Sequence, residues 1–535
     1  MALKIPDKLK PFLRVEVILL LILILAIALR FMFLDLKLFH HDEAIHAWFS
    51  YILMSTNHYT YDPVYHGPFL YYVTAGMFSL FGATDFVGRI VPCLFGCGLI
   101  PLLYWIYRMD FINKKVVCLA SLFIAISPCM LYFSRFLRND VFIIFFSLLM
   151  IAAMLAWMTR KKWYWLVLAG IAAGLGLCCK ENMPIIIATF AAFFIYLLWT
   201  KKFTLPKNWW KHLLIAFGVF LLVVFTFYSS FWQHPEMLLQ AGQAAIEHWF
   251  SVQKDQPLGG PAVYYIGTLI LYEISLFALA IWGIIRHFRP PKAEQTEDTR
   301  FKNLFVRPAE PRKINREREF ILFAIVWFIT SMIVYAVIGE KVPWLILHQL
   351  LPMIIVAAYG LSVLKPKRVF VIGACAIIYL CIVSGCTVYN PCDLCGPIAQ
   401  VQNSEDLRPL LDAMEEADSV AIVSIPGTDG SAIGWPFTWY FAKEPNKIYY
   451  YNVLNPPEYM ENCGYDLIIT HDLESYENLS GYEKWTQKKH YWFDAINTGG
   501  SGIGAVWNWL KYYFTRIGET ASLNITVFKK IGADF

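Results

Sequence analysis

The segment His40-His41-Asp42-Glu43-Ala44-Ile45-His46 places two acids and three histidines within seven residues. On a helix, Asp42 and His46 lie four apart and Glu43 and His46 three apart, so the three share a face that could hold a proton or a divalent ion. A solvated acidic helix start, favoured by the helix dipole, is the plainer alternative. A second set of groups is basic. Arg135 and Arg138 in Ser134-Arg135-Phe136-Leu137-Arg138-Asn139-Asp140 call for an anion, which a lipid phosphate would supply; pairing of Arg138 with Asp140 is the simpler reading. Lys180-Glu181-Asn182 closes another apolar run, and Gly339-Glu340-Lys341-Val342-Pro343-Trp344 leads into His348. Lys341 suits a phosphate as a point charge, and His348 suits a proton relay or a ligand, although a lone histidine among apolar residues is commonly hydrogen-bonded inside a bundle. Gln233-His234 and Glu247-His248 carry a weaker signal of the same kind.

The elements that must position these groups are apolar. Of 535 residues, 58% are hydrophobic and only 16% charged, a balance that would leave a soluble domain with large exposed apolar patches. About eleven runs reach the roughly 17–25 residues needed to cross a ~30 Å hydrocarbon core. They are Pro11–Leu34, Val87–Tyr107, Val116–Phe133, Val141–Met158, Trp163–Cys179, Met183–Trp199, Leu213–Phe231, Val263–Ile285, Phe320–Ile338, Trp344–Leu364 and Val369–Ser384. Lys and Arg gather in every second connection, which by the positive-inside rule sets the N-terminus in the cytoplasm and the tail outside. Residues 36–86, 134–140, 180–182, 233–260 and 339–343 then face outward. Ala26-Ile27-Ala28 has the form of a signal-cleavage site, but the run is long for a signal and an uncleaved anchor keeps the alternation intact.

This reading gives a polytopic α-helical membrane domain over residues 1–389, with a large first outer loop (36–86) and a basic cytoplasmic loop (286–318). A small extracytoplasmic α/β domain follows over 390–535. Within it Glu405 to Ala417 reads as helix, and Val420 to Ile425, Lys447 to Val453, Asp466 to Thr470 and Ala521 to Phe528 as strands. Eight of the twelve cysteines lie inside apolar runs and read as small hydrophobes, whereas Cys392-Asp-Leu-Cys395 has the spacing of a disulfide or half a metal site. Asn478-Leu-Ser480 and Asn524-Ile-Thr526 have the form of N-glycosylation acceptors. The aromatic stretch around Tyr71 and Tyr72 reads as an interfacial belt. The net charge of +5, dispersed among the loops, does not point to nucleic acid.

Several of these motifs, in this order, resemble the glycosyltransferase C (GT-C) superfamily, in particular the branch of protein O-mannosyltransferases and lipid A aminoarabinose transferases. The likeness covers most of the first two hundred residues. It rests on Asp42-Glu43-Ala44 after the first run, Gly67-Pro68-Phe69-Leu70-Tyr71-Tyr72, the Gly82 to Pro92 turn with Arg89, and Ser127-Pro128 leading to Arg138 and Asp140. Gly67-Pro68 stands where the aminoarabinose transferases have two prolines. Lys341-Val-Pro-Trp344 to His348 and Trp435-Pro436-Phe437-Thr438-Trp439-Tyr440 look like a narrower archaeal family associated with N-glycosylation and flippase activity.

The resemblance implies a multi-pass plasma-membrane transferase that moves a sugar from a polyprenyl-phosphate carrier to a protein or glycan acceptor at the outer face. Membrane lipids and other glycosylation-pathway proteins are its expected partners. Asp42 would be the general base, with Asp140 as its rival. Glu43, His46 and His348 would support it or hold a divalent cation, and Arg138, Lys180 and Lys341 would cradle the departing phosphate. The competing expectation is a lipid-linked-oligosaccharide flippase or a noncatalytic component of an N-glycosylation pathway. The internal repeats and midplane ionisable groups of a transporter are not evident in the sequence.

Overall fold

The computed structural model describes residues 14–255, 260–289, 314–390, 396–425, 433–492, 504, 507 and 521–533. Cys392, Cys395 and most of the 286–318 loop lie outside the described residues. The chain divides into two compact units. The first comprises Met1–Met32, Tyr59–Leu70 and Arg89–Val388, and the second Phe33–His58, Tyr71–Gly88 and Tyr389–Phe535.

The helices in chain order are α1 (Val15–Phe31), α2 (His41–Thr56), α3 (Phe69–Phe81), α4 (Asp85–Arg108), α5 (Lys114–Ile126), α6 (Pro128–Phe133), α7 (Asp140–Arg160), α8 (Trp163–Leu177) and α9 (Met183–Trp199). They continue as α10 (Trp209–Tyr228), α11 (Met237–Asp255), α12 (Tyr264–Phe288), α13 (Arg316–Val337), α14 (Leu347–Ser362) and α15 (Pro366–Val388).

Among the described residues, seven helices are long and apolar enough to cross a membrane: α4, α7, α10, α12, α13, the Pro343–Ser362 segment ending in α14, and α15. The protein is therefore a multi-pass membrane protein, and the expectation of about eleven spans is corrected to seven. The other four apolar runs form shorter helices. Ser127-Pro128 splits one of them into α5 and α6, because Pro128 has no N–H and drives Ser127 out of the helical region to φ −61°, ψ 127°. At 1.5 Å per residue the 15 residues of α8 reach only about 22 Å, and α1 and α9 have 17 residues each.

In the first unit α14 is almost wholly buried and packs against α5, α12 and α13. Its approach to α12 is backbone to backbone. A Cβ at Gly360 would lie 2.3 Å from the Leu279 carbonyl oxygen, and one at Gly283 would lie 2.5 Å from that of Val356. Small residues at such crossings let dispersion and close packing supply the attraction that lipid does not.

The second unit holds α2, most of α3 and a C-terminal six-stranded sheet. Its strands are β1 (Val401–Asn403), β2 (Val420–Val423), β3 (Ile448–Tyr451), β4 (Leu467–His471), β5 (Tyr482–Trp492) and β6 (Ala521–Lys530), in the order β1-β5-β6-β4-β2-β3. β2 pairs in parallel with β3 and β4, and the remaining pairs are antiparallel. Helices α16 (Arg408–Glu416), α17 (Phe437–Tyr440) and α18 (Pro457–Cys463) complete it. Alternation along β2 sends Val420 and Ile422 to one core with Leu410, Met414 and Ile469, and Ala421 and Val423 to another with Met460, Ile468 and Phe528. Asn524 of one glycosylation triplet sits inside β6, paired with Lys488 of β5, while Asn478 of the other is exposed.

Candidate active site

In the second unit, helix α2 begins with a capping box built from a histidine. The His40 ring Nδ1 accepts from the Asp42 N–H at 3.0 Å, and the His40 N–H donates to Glu43 Oε2 at 3.0 Å. The other ring nitrogen, Nε2, lies 2.7 Å from the Ala399 carbonyl and 3.2 Å from the Val401 N–H, so contacts at both nitrogens hold the ring in place. The preceding residues are tied down as well. Phe39 N–H donates to the Tyr440 hydroxyl, Asn403 Nδ2 donates to the Phe39 carbonyl at 2.6 Å, and the Tyr440 hydroxyl and Trp439 indole both donate to Asp85. Glu43 and His46 are buried, at 1% and 2% exposure, whereas Asp42 stays half-exposed in the first turn.

His46 Nδ1 meets the Tyr71 hydroxyl at 2.8 Å, and Tyr71 is itself buried. The reading of Tyr71 as part of an interfacial belt is thus replaced by a packed tyrosine that fixes the His46 ring. Sequence reasoning also missed a basic cluster beside His41. The His41 ring lies 6.3 Å from that of His490, whose Nδ1 is 3.2 Å from the Lys489 ammonium. Burial, then Lys489, push the His41 pKa down to about 3 against the pull of Asp42, so His41 is neutral at physiological pH. Burial alone brings Lys489 down to about 7.

In the first unit a different set of candidates meets. Asp140 opens α7, with Lys180 Nζ 3.2 Å from its Oδ1, Arg138 Nε 3.6 Å from its Oδ2 and His348 Nε2 3.7 Å from Oδ1. Asp140 is therefore a shared partner of Arg138 and Lys180. The Arg138 guanidinium lies 3.7 Å over the Trp344 ring, which holds its planar fork in one orientation. Asn182 Nδ2 donates to the Tyr335 hydroxyl at 2.7 Å and approaches His348 Nε2 at 3.0 Å, and His348 stacks on Tyr335 with centroids 5.1 Å apart.

Next to Lys180, Glu181 accepts from the Tyr61 hydroxyl at 3.0 Å and from His66 Nδ1 at 3.3 Å. Burial works to raise the Glu181 pKa, but those hydrogen bonds and the His66 charge hold it below the ordinary value. Burial and the Lys180 charge lower that of His66. The Tyr65-His66-Gly67 segment is docked on the same turn, with Gly67 N–H donating to the Cys179 carbonyl and Phe69 N–H to that of Cys178. A Cβ on Gly67 would lie 2.1 Å from the Cys178 oxygen, so no larger residue fits there. The presence of His66 and Glu181 in otherwise apolar surroundings was the available signal, but nothing in their spacing paired them.

Two further candidates sit on backbone carbonyls. Lys341 Nζ donates to the carbonyls of Tyr335 and Ala336, at 3.1 and 3.2 Å, and to that of Ile338, closing the end of α13. Arg135 Nη1 donates to the carbonyls of Leu29, Arg30 and Met32 at 2.6–2.9 Å, doing the same for α1. Among the described residues no group of three or more His, Cys, Asp or Glu side chains lies close enough to hold a metal ion. Glu43 is engaged by its own helix cap and His46 by Tyr71.

The profile of the dolichyl-phosphate-mannose-protein mannosyltransferase family matches residues 65–228, less than half of the chain. An uncharacterized protein of Aquifex aeolicus is 22% identical over 315 residues; the match covers 57% of this chain and 56% of that protein's length. The structure is similar to ArnT from Cupriavidus metallidurans bound to undecaprenyl phosphate, with a TM-score of 0.56 at 14% identity, covering 85% of this chain and 93% of that one. The two chains share a fold. A second similar structure, the Archaeoglobus fulgidus oligosaccharyltransferase in the apo form, matches with a TM-score of 0.54 at 14% identity over 87% of this chain and 70% of that one. The same enzyme has been crystallised in complex with Zn and sulfate, with 16% identity and a TM-score of 0.54 over 85% of this chain and 68% of that one. Within their own units, the acid pair opens α2, and the Arg138, Asp140 and Lys180 cluster lies at the α6–α7 junction and the α8–α9 turn.

Proposed function

We propose that this protein is a membrane glycosyltransferase that moves a sugar from a polyprenyl-phosphate carrier to an acceptor at the extracytoplasmic face, in protein or lipid glycosylation. Its N-terminus is cytoplasmic and its C-terminal sheet extracytoplasmic, in the plasma membrane. The observation that carries the reading is the Asp42 carboxylate: half-exposed, in the first turn of a helix whose cap is locked by His40 and Glu43. The shared fold supports it, as does the undecaprenyl phosphate of the similar ArnT structure.

In this mechanism Asp42 takes the proton from the acceptor hydroxyl or amide while the acceptor atom attacks the anomeric carbon from the face opposite the phosphate. The bond from that carbon to the phosphate oxygen breaks, and its electron pair leaves on the phosphate, inverting the anomeric centre. Arg138 and Lys180 offset the charge growing on the phosphate, with Asp140 giving up part of its hold on them as the phosphate arrives. Asp140 is the alternative base, and Lys341 is a further phosphate ligand only by giving up helix-end carbonyls for the phosphate. Glu43 and His46 act by holding the first turns of α2 in place.

The test uses purified protein in lipid bilayers with a panel of polyprenyl-phosphate sugars. Wild type is expected to release free carrier from at least one donor, and Asp42→Asn to lose at least about a hundredfold in rate, the usual scale for a positioned general base. If every donor stays intact with wild type, or if Asp42→Asn is as active as wild type, the assignment fails.

A further inference from the structure

No ionisable group is expected at the middle of a span from the sequence, but Glu273 is one: it is an acid in the middle of α12, fully buried, where the helix departs from helical geometry with φ −128° and ψ 23°. An ionisable residue inside an apolar span is costly and is kept for a partner or a task. Its partners are on another element. Glu273 Oε1 accepts from the Ser127 hydroxyl at 2.6 Å and from the Cys129 N–H at 3.0 Å.

These two donors belong to the break between α5 and α6. Ser127 also caps α6 locally by accepting from the Met130 N–H at 3.2 Å, while Pro128 brings no N–H of its own. The first amide of α6, Cys129, is therefore satisfied from outside by α12. Helix α6 has only six residues, so its direction is set by how its start is held. It leads through Ser134, whose hydroxyl donates back to the Met130 carbonyl, and Arg135, anchored on the α1 carbonyls of Leu29 and Arg30, to Arg138 and Asp140. The Glu273 carboxyl fixes one end of this arm, and Arg135 and the Arg138–Trp344 stack fix the other.

We infer that Glu273 is a positioning residue for the phosphate-binding cluster: by accepting from Ser127 and Cys129 it sets where α6 delivers Arg138 and Asp140. This rests on the proposed use of Arg138 and Lys180 to bind the carrier phosphate. Removing the acceptor leaves two buried donors without it, and the arm must shift to satisfy them. The consequence falls on the binding of the carrier, because Asp42 is on a different element.

The experiment measures binding of radiolabelled undecaprenyl phosphate to the full-length protein in nanodiscs, with Glu273→Gln, Glu273→Leu and Ser127→Ala beside wild type. Thermal melting confirms that each variant is folded. Glutamine retains the accepting oxygen and is expected to bind within about threefold of wild type. Leucine is expected to weaken binding tenfold or more, with Ser127→Ala in between. With a donor that wild type turns over, the Leu variant raises KM with a smaller change in kcat. Wild type that does not bind the carrier overturns the phosphate reading itself. A folded Leu variant that binds as wild type, or a Gln variant as weak as Leu, overturns the positioning role alone. Should the Leu variant not fold, unchanged binding by Ser127→Ala overturns it.

Discussion

Single buried groups in this protein are tuned by their surroundings, and Lys489 is the sharpest case. Its pKa falls from an ordinary value of 10.5 to about 7 on burial in β5. Between those values the unfolded chain binds more protons than the folded one, so stability rises as pH rises from about 7 toward 10.5 and is lost as pH falls back. The slope from this one group is at most about 1.4 kcal/mol per pH unit. Replacing Lys489 with Met is expected to raise the melting temperature at pH 7 and to flatten the difference between pH 7 and pH 9. A variant with the wild-type pH dependence would show that Lys489 keeps its charge on folding. The lysine was invisible as a buried residue in the sequence, because Lys484, Gln487, Lys488 and Lys489 make β5 read as a polar loop. Similarly, the aromatic context of Tyr71 suggested a membrane interface, and only the fold shows its hydroxyl on His46.

At the scale of elements, the short docking between residues 65–69 and the α8–α9 turn is where a small change should tell. Gly67→Ala would press a methyl group into the Cys178 carbonyl, and overpacking of this kind costs about 1–3 kcal/mol. The expected outcome is a lower melting temperature together with weaker carrier binding, since the same turn carries Lys180; unchanged values for both would mean that the loop relaxes freely. The elements themselves were partly legible. Strands β2, β3, β4 and β6 fall on segments whose β-branched and aromatic residues read as strands, and the acid motif reads as the start of a helix, which α2 is. What composition could not reveal was length. A window that counts apolar residues passes over the break at Ser127-Pro128 and cannot see that α8 stops at Leu177, so it counts four runs as spans that form shorter helices. The candidate residues were largely named in advance, but their company was not. Arg135 and Lys341 spend their donors on helix-end carbonyls, and the spacing of residues along the chain says nothing about which carbonyls lie across the bundle.

At the scale of the whole molecule, the seven spanning helices among the described residues and a C-terminal sheet define a multi-pass protein whose proposed orientation can be read directly. Alkaline phosphatase fused after Phe535 in a bacterial host is expected to be active and β-galactosidase at the same point inactive; the reverse pattern would put the sheet, and the chemistry proposed for α2, on the cytoplasmic side. Within the first unit the crossing of α12 and α14 at Gly283 and Gly360 has a bearing beyond its own packing. Two helices whose backbones touch cannot slide or rotate past each other without one rising over the other's carbonyls. Helix α12 carries Glu273 ten residues, or about 15 Å, from that contact, and α14 carries His348 at its start. The two are in effect one stiff strut with a clamp near its far end. A side chain introduced at the clamp would tilt the strut, and the displacement would grow with distance, so damage done among glycines would be felt among the charged groups of the cluster.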